Sequence, residues 1–387
     1  MPGRLTSQGL RRLDDAARGH VGDNQIPGLV YLVACGDQVH AGALGSLSIG
    51  GAPVERDSLF RIASTTKPIT AAATLALVRE GLLELDAPVA GLLPELASPR
   101  VLARMDGPLD DTVPARREIT ARNLLTFTFG FGMVTEMFFA AEPWPVVAAS
   151  QELRLEAFGP PEPSVQPDPD TWIAGMGSLP LLAQPGERWM YNTGASVLGV
   201  LLARAAGQPI AEVMRTRIFE PLGMTDTAFW TAQTDRLATS YQPTTDGLAV
   251  YDEPAGSWSR PPAFGDGAAG LLSTADDLLA FARMLLRGGD GVLTADAVRA
   301  MTTDQLTPEQ KARGGLGPHF FDDMSWGYCQ AVREDGSFGW DGGLGTSWMV
   351  DPGKDLTIIS LTQRMWDGPD PPAVHRDIQA AAYEALA

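Results

Sequence analysis

The chain has 387 residues, of which 44% are hydrophobic and 20% are charged, a composition typical of a globular protein. This composition excludes a disordered or fibrous chain. The 29 lysines and arginines and 47 aspartates and glutamates give a net charge of −18, which repels phosphate backbones and anionic lipid surfaces. We therefore expect neither a nucleic acid nor a membrane as partner.

The sequence also bears on the cellular compartment. Residues 1–20 contain no apolar segment of signal-peptide length, and no uninterrupted apolar run approaches the roughly 18 residues of a membrane-spanning helix. The two cysteines, Cys35 and Cys329, are too few for a disulfide framework and are interpreted as buried thiols. These features predict a soluble, cytoplasmic protein.

The first part of the chain predicts a helix followed by a β-hairpin. Leucines and an alanine recur at helical spacing over residues 5–20. An apolar, β-rich run over 28–35, a turn at 36–37 and a returning strand over 39–44 indicate the hairpin. A polar Ser/Thr cluster then leads into a helix over 70–83, whose alanine and leucine content indicates burial on most sides.

The middle and the end of the chain differ in character. Residues 95–190 are rich in proline, and five prolines argue against a regular element over 159–170. Helices are predicted over 194–206 and over 275–286, with Ser273 or Thr274 as N-cap of the second. Strands over 346–350 and 356–361, joined by a turn, and a helix over 371–386 close the chain.

Strands therefore stand near both ends of the sequence, with helices between them. This order predicts an α/β fold in which both termini build one antiparallel sheet, flanked by helices and carrying an inserted helical lobe. We assign residues 1–90 and 320–387 to the α/β part. Residues 91–319 are assigned to the mostly helical lobe with its irregular, proline-rich loops.

One short motif is suited to catalysis. Ser64 and Lys67 form S-x-x-K, the only match in the chain, where the polar cluster enters the buried helix. Residues three apart share a helix face, so the Lys67 amine would stand beside the Ser64 hydroxyl. Burial depresses the pKa of an amine, and a neutral amine can accept the serine proton. The N-terminus of the helix would favour a developing oxyanion.

Other catalytic motifs are missing from the sequence. No serine stands in G-x-S-x-G, and none of the four histidines belongs to a motif. Metal-ligand spacings and phosphate-binding glycine loops are absent from the sequence too. We therefore expect a serine-based reaction that needs no metal and no cofactor.

The segment FRIASTTKP, residues 60–68, resembles the active-site helix of the class C β-lactamase-like serine hydrolases. Tyr191 lies on the tyrosine of that family's Y-x-N motif, which has Thr193 at its third position here. The WDGG stretch at 340–343 is similar to the W-G-G variant of the esterase-like branch, placed where β-lactamases carry K-T-G. The resemblance covers the chain from about residue 10 to the end.

The resemblance implies a β-lactamase and penicillin-binding-protein-like fold and a set of site roles. Ser64 would be acylated, with Lys67 and Tyr191 as the proton-transfer pair. A phenol near an ammonium loses its proton more easily, which would suit Tyr191 to act as a base together with Lys67.

The third motif implies further roles. The N–H groups of Ser64 and Gly343 would form the oxyanion hole. Gly342 would let the backbone approach the substrate closely, and Trp340 and Asp341 would contact it. Trp340 offers an apolar wall where the K-T-G lysine would help to bind the carboxylate of a β-lactam.

One segment departs from the family's pattern. The stretch LLTFTFGFG, residues 124–132, carries Phe127 and Phe129 where the family has His and Ser. With Phe138 they are candidates for an acyl-binding pocket. The core of the helical lobe is the equal alternative for these side chains.

These features together predict a serine hydrolase that cleaves carboxylic esters of small molecules. The same site could instead serve an amidase, a D-amino-acid peptidase, a weak β-lactamase or a transacylase. A non-catalytic ligand-binding protein that kept the scaffold is the alternative from another class.

Overall fold

The computed structural model describes residues 3–22, 25–368 and 370–387. The helices are α1 Ser7–Arg18, α2 Thr66–Arg79, α3 Ala121–Leu125, α4 Thr135–Phe138, α5 Pro145–Glu152, α6 Pro169–Ser178, α7 Thr193–Ala206, α8 Ile210–Met214, α9 Glu220–Leu222, α10 Ala275–Leu286, α11 Ala295–Met301, α12 Pro308–Arg313 and α13 Ala373–Glu384. Single 3₁₀ turns lie at Ala63–Thr65, Val89–Gly91, Pro94–Leu96 and Ser257–Ser259, and a π-helical turn, Arg215–Phe219, joins α8 to α9.

The strands are β1 Gly28–Cys35, β2 Gln38–Gly45, β3 Phe60–Arg61, β4 Arg100–Leu102, β5 Thr112–Pro114, β6 Ser240–Thr244, β7 Gly247–Asp252, β8 Leu272–Ser273, β9 Ser325–Trp326, β10 Ala331–Val332, β11 Phe338–Gly342, β12 Thr346–Asp351 and β13 Leu356–Thr362. Within the described residues, seven of them form one antiparallel sheet in the order β2-β1-β13-β12-β11-β10-β9. Leu29 of β1 stands opposite Thr362 of β13. The predicted sheet built from both ends of the chain is confirmed.

Both faces of the central strands are covered, which explains why β1 is apolar throughout. Side chains of a strand alternate between the two faces of the sheet. Leu29, Tyr31 and Val33 belong to the apolar cluster with residues of α1 and α13, whereas Val30 and Leu32 belong to the large core on the opposite face. A strand that is buried on both faces therefore needs a continuous hydrophobic run.

The helix ends follow from local chemistry. The Thr274 side chain accepts a hydrogen bond from the N–H of Asp277 and so caps α10, as the sequence predicts. Gly207 ends α7 with a φ of 62°, a left-handed conformation that glycine adopts without strain. Helix α2 begins at Thr66, four residues before the predicted start, and ends at Arg79. The predicted absence of a regular element over 159–170 holds for 159–168, whereas α6 begins at Pro169, because proline is tolerated in the first turn of a helix.

The core is continuous between the sheet and the helices. Helix α10 packs against β1, β12 and β13, although it falls within the predicted lobe. The division at residues 91 and 319 stays a prediction. Cys35 and Cys329 are both buried and unpaired thiols, and they lie in different apolar clusters.

The hydropathy of the helices can be compared with that of a membrane span. Within the described part of the chain, no single helix is both long and apolar enough to cross a bilayer. Helix α7 and the segment Ile210–Leu222 reach the required length and composition only when taken together, and they meet at a bend of 80°.

Candidate active site

Ser64 lies in the single turn Ala63–Thr65, between β3 and the N-terminus of α2. The chain just before this turn is held in place, because the N–H of Ile62 donates to the carbonyl of Leu271 at 3.0 Å. Ala63 has a φ of 43°, in the left-handed region that residues with a Cβ seldom adopt. Backbone strain of this kind costs about 1–3 kcal/mol and persists only where the surrounding structure enforces it.

Lys67 meets Ser64 across the first turn of the helix. Its side chain is fully buried, and its Nζ lies 2.8 Å from the Ser64 Oγ. The amine also donates to the carbonyl of Ala268 at 2.9 Å. Burial lowers the pKa of Lys67 to about 7, because the ammonium form loses its hydration inside the protein. A substantial fraction of the amine is therefore neutral near pH 7 and can accept a proton.

A buried carboxyl group, Asp266, stands behind this amine. Asp266 accepts hydrogen bonds from the Ser196 hydroxyl at 2.7 Å and from the N–H of Ala268 at 2.8 Å. Burial raises the pKa of Asp266. Its charge raises the pKa of Lys67 and so works against the larger effect of burial on that amine. Asp266 thus holds the loop whose carbonyl binds Lys67 and also tunes the charge of the amine.

Tyr191 completes the polar group around Ser64. The Trp340 Nε1–H donates to the Tyr191 hydroxyl at 2.7 Å, and the Lys67 Nζ lies 4.7 Å from the centroid of the Tyr191 ring. Burial raises the pKa of the Tyr191 phenol, against the opposing effect of its hydrogen bonds with Ser64 and Trp340. The sequence-based expectation of an easily ionised phenol is therefore wrong, because desolvation outweighs the neighbouring hydrogen bonds. The two pKa shifts make Lys67 better suited than Tyr191 to accept a proton near pH 7.

Tyr191 is held by an aromatic cluster. Its ring stacks on Trp189 with centroids 5.7 Å apart, meets Phe127 edge-on at 5.9 Å and packs against Trp340 at 5.6 Å. Asn192, the next residue, has a φ of 85°. The large buried rings and the constrained backbone leave the phenol hydroxyl little freedom to move away from Ser64.

The third motif packs against the turn that carries Ser64. A Cβ on Gly342 would lie 2.2 Å from the carbonyl oxygen of Ile62, so only glycine allows β11 to approach this closely. Gly343 follows in an exposed turn, where a Cβ would meet nothing within 4 Å. The N–H of Trp366 donates to the Gly343 carbonyl at 2.9 Å and helps to fix the turn.

A cavity of about 260 Å³ joins these groups. Ser64, Tyr191 and Gly343 line it together with Trp340 and Asp341. Apolar side chains of the loop between α12 and β9 and of the segment after β13 form much of the remaining wall, namely Leu316, Met324 and Trp366. Ser64 and Tyr191 therefore face one partly enclosed and partly apolar space.

The three predicted phenylalanines lie elsewhere. Phe127 and Phe129 are fully buried in the core, and neither lines the cavity at Ser64. This corrects the acyl-pocket hypothesis for both, since a side chain without solvent access in the packed core offers no surface to a ligand. Phe138 is 58% exposed and lines a separate apolar cavity of about 290 Å³ formed by residues between Met133 and Phe158.

Sequence reasoning missed Asp266, the carbonyl of Ala268 and the aromatic residue Trp189. One signal was available for Asp266, which is a lone carboxylate inside the glycine-rich apolar run FGDGAAGLL at 264–272. A single acid in such a run indicates a buried carboxyl with a specific partner. The carbonyl of Ala268 leaves no mark on the sequence, because every residue carries one.

Comparison with known proteins gives the family of the chain. The Beta-lactamase family model matches residues 13–383. Protein Rv1367c of Mycobacterium tuberculosis is 39% identical over 336 residues, which cover 82% of this chain and 80% of that protein. Esterase EstB of Burkholderia gladioli is 32% identical over 387 residues, covering 92% of this chain and 91% of its own.

A solved structure extends the likeness to the fold. EstCE1, described as a hydrolase with promiscuous acyltransferase activity, superposes with a TM-score of 0.81 at 25% identity, over 97% of this chain and 99% of its own. The family and the fold implied by the three motifs are confirmed. The chain belongs to the beta-lactamase family, in its esterase-like branch, and is a serine hydrolase.

Proposed function

We propose that the protein hydrolyses carboxylic esters of small molecules through an acyl-enzyme on Ser64. The observation that carries the proposal is the fully buried Lys67 amine, with a pKa of about 7, whose Nζ lies 2.8 Å from the Ser64 Oγ. A base of that pKa at hydrogen-bond distance is what a serine hydroxyl needs to act as a nucleophile at neutral pH.

In the acylation step the neutral Lys67 amine takes the Ser64 proton while Oγ forms a bond to the ester carbon. The negative charge that develops on the carbonyl oxygen is stabilised by the N–H groups of Ser64 and Gly343. The C–O bond to the alcohol then breaks, and the leaving oxygen receives a proton through the neutral phenol of Tyr191, which is replenished from the Lys67 ammonium. The alcohol departs and leaves the acyl group on Ser64.

Deacylation runs the same proton transfers in the opposite direction. Water gives a proton to the Lys67 and Tyr191 pair as its oxygen attacks the acyl carbon, and the Ser64 Oγ recovers a proton when the acid leaves. The reaction uses only side chains and backbone N–H groups of this chain. The apolar wall at Trp340, in place of the K-T-G lysine, favours an acyl or alkyl group over the carboxylate of a β-lactam at that position.

Acyl transfer to an alcohol or amine is the second candidate activity. EstCE1, a solved structure that covers 97% of this chain, is described as having promiscuous acyltransferase activity. An enclosed cavity with apolar walls would favour an organic acceptor over water once the acyl group is in place. The ratio of transfer product to acid, measured with added alcohols, separates the two activities.

Mass spectrometry of the intact protein after mixing with 4-nitrophenyl esters tests the proposal. We expect the wild-type protein to gain the mass of one acyl group, and Ser64→Ala to gain none and to lose turnover. Ser178→Ala, which changes an exposed hydroxyl at the end of α6, serves as the matched control and should behave as wild type. Full turnover by a folded Ser64→Ala protein would overturn the proposal and favour a different nucleophile or a non-catalytic role.

A further inference from the structure

The cavity at Ser64 extends along a free strand edge. Strand β10 pairs with β11 only at Ala331 and Val332, opposite Gly339 and Phe338. The outer edge of β11 beyond Gly339 therefore has no strand partner among the described residues, and the cavity follows it. Ser64, Gly339 and Gly343 line this cavity together with Arg333.

Arg333 marks the end of this cavity that is distant from Ser64. Its N–H donates to the carbonyl of Ser337 at 2.8 Å, which places Arg333 level with a residue six positions before Gly343. The five residues from Gly339 to Gly343 span about 13 Å, at roughly 3.3 Å for each of the four steps between them. A ligand that reaches from Ser64 to Arg333 is therefore extended.

The guanidinium of Arg333 is incompletely bonded in the part of the chain that the structure describes. Its Nη1 is buried and has no hydrogen-bond partner there, and no carboxylate of residues 3–22, 25–368 or 370–387 forms an ion pair with it. The Trp366 Nε1 is a second buried donor without a partner in the same residue ranges, and Trp366 lines the same cavity. Buried N–H groups are almost always paired, because an unpaired one costs about 1–3 kcal/mol.

Two carboxyl groups lie close enough to interact electrostatically with Arg333, and each of them is hydrogen-bonded to a serine. Asp335 is exposed and accepts the N–H of Ser337 at 2.9 Å. Asp341 faces Ser347 across the strand pair and hydrogen-bonds to it, and burial raises the pKa of Asp341. Within the described residues neither of these carboxyl groups bonds to the buried Nη1 of Arg333, so this donor stays available to a ligand.

We propose that Arg333, with Trp366, binds a carboxylate carried by the substrate at the end of the cavity distant from Ser64. The inference rests on the proposed ester hydrolysis and specifies its substrate class as esters with an anionic group separated from the reactive carbonyl by an extended chain. A guanidinium presents a planar fork of donors that matches the two oxygens of a carboxylate. Arg333 is then a specificity residue, and Ser64 remains the nucleophile.

Hydrolysis of matched ester pairs tests the inference. One series contains mono-4-nitrophenyl esters of glutarate, suberate and sebacate, each compared with the analogue whose free carboxylate is a primary amide. A second series carries the carboxylate or the amide on the alcohol of an octanoyl ester. In at least one series we expect the wild-type enzyme to prefer the carboxylate by tenfold or more in kcat/KM, as charge-assisted hydrogen bonds allow.

Three variants assign the preference to a side chain. Arg333→Met should lose the preference while it hydrolyses the neutral amide analogues within about twofold of wild type, which also shows that the variant is folded. Arg333→Lys should keep part of the preference, because it keeps the charge and loses the fork. Arg299→Gln, which removes an exposed arginine on α11, is the control. It should change neither the carboxylate preference nor the hydrolysis of the neutral amide analogues.

The outcomes separate this inference from the proposed function. A wild-type enzyme without carboxylate preference in either series, or an Arg333→Met protein that retains the preference, would overturn the role of Arg333 and leave the Ser64 mechanism intact. Turnover of the neutral analogues by Ser64→Ala would instead overturn the mechanism.

Discussion

The pH dependence of ester hydrolysis should report the ionisation of Lys67. Burial lowers the pKa of this amine to about 7, and in the proposed mechanism the neutral form is the active one. Its neutral fraction rises from about one tenth at pH 6 to about nine tenths at pH 8. We therefore expect kcat/KM for an uncharged ester to increase about tenfold between pH 6 and pH 8 and then to level off.

The assay is kcat/KM between pH 5.5 and 9 with a substrate that has no ionisable group, in buffers of constant ionic strength. A lysine with its ordinary pKa would give a rise of about a hundredfold over the same two pH units, with no plateau. Such a continuous rise, or a flat profile between pH 6 and 8, would contradict the assignment of Lys67 as the base.

A substitution behind the amine provides a directional check of the same reasoning. The charge of Asp266 raises the pKa of Lys67, so Asp266→Asn should move the midpoint of the profile to lower pH. Asp277→Asn is the matched control, because Asp277 is another buried carboxyl, hydrogen-bonded to Thr227 on a different part of the fold. A shift to higher pH in Asp266→Asn would refute the electrostatic argument.

Three further substitutions test other features of the site. Lys67→Met should reduce kcat/KM by at least about a hundredfold and raise the free energy of unfolding in urea. Because the pKa of Lys67 is lowered from 10.5 to about 7, its buried amine destabilises the folded state by up to about 5 kcal/mol below pH 7 and by about 2 kcal/mol at pH 9. The gain in unfolding free energy should therefore shrink as the pH rises, and a gain independent of pH would contradict the lowered pKa of Lys67. Tyr191→Phe should lose about a hundredfold in kcat, whereas Tyr31→Phe, which removes a phenol hydroxyl bonded to a carboxylate of α1, should keep full activity. Gly342→Ala should reduce activity strongly because its Cβ would lie 2.2 Å from a backbone carbonyl, and Gly343→Ala, with open space at its Cβ, should have a much smaller effect in the same assay.

Much of the fold could be predicted from local sequence. The apolar run of β1 and the hairpin turn after it were sufficient for the first two strands, and a glycine at 207 marked the end of α7. Local spacing was equally sufficient for the contact between Ser64 and Lys67, because residues three apart meet on one helix face whatever surrounds them.

Contacts between distant parts of the chain decided the rest. Phe127 and Phe129 could have lined a pocket or filled the core, and only packing against other elements showed that they are core residues. The pKa shift of the Tyr191 phenol was predicted in the wrong direction. The sequence indicated a neighbouring ammonium, which lowers this pKa, but it did not show the burial that raises it.

The sequence alone therefore determined which groups could react, and the tertiary structure determined their charge and what they face. The carbonyl that binds the Lys67 amine belongs to Ala268, 201 residues away, and Arg333, which follows β10, lines the same cavity as Ser64. Desolvation and long-range electrostatics depend on every atom packed around a group. Neither is encoded in the residues next to that group in the chain, so only the folded structure sets them.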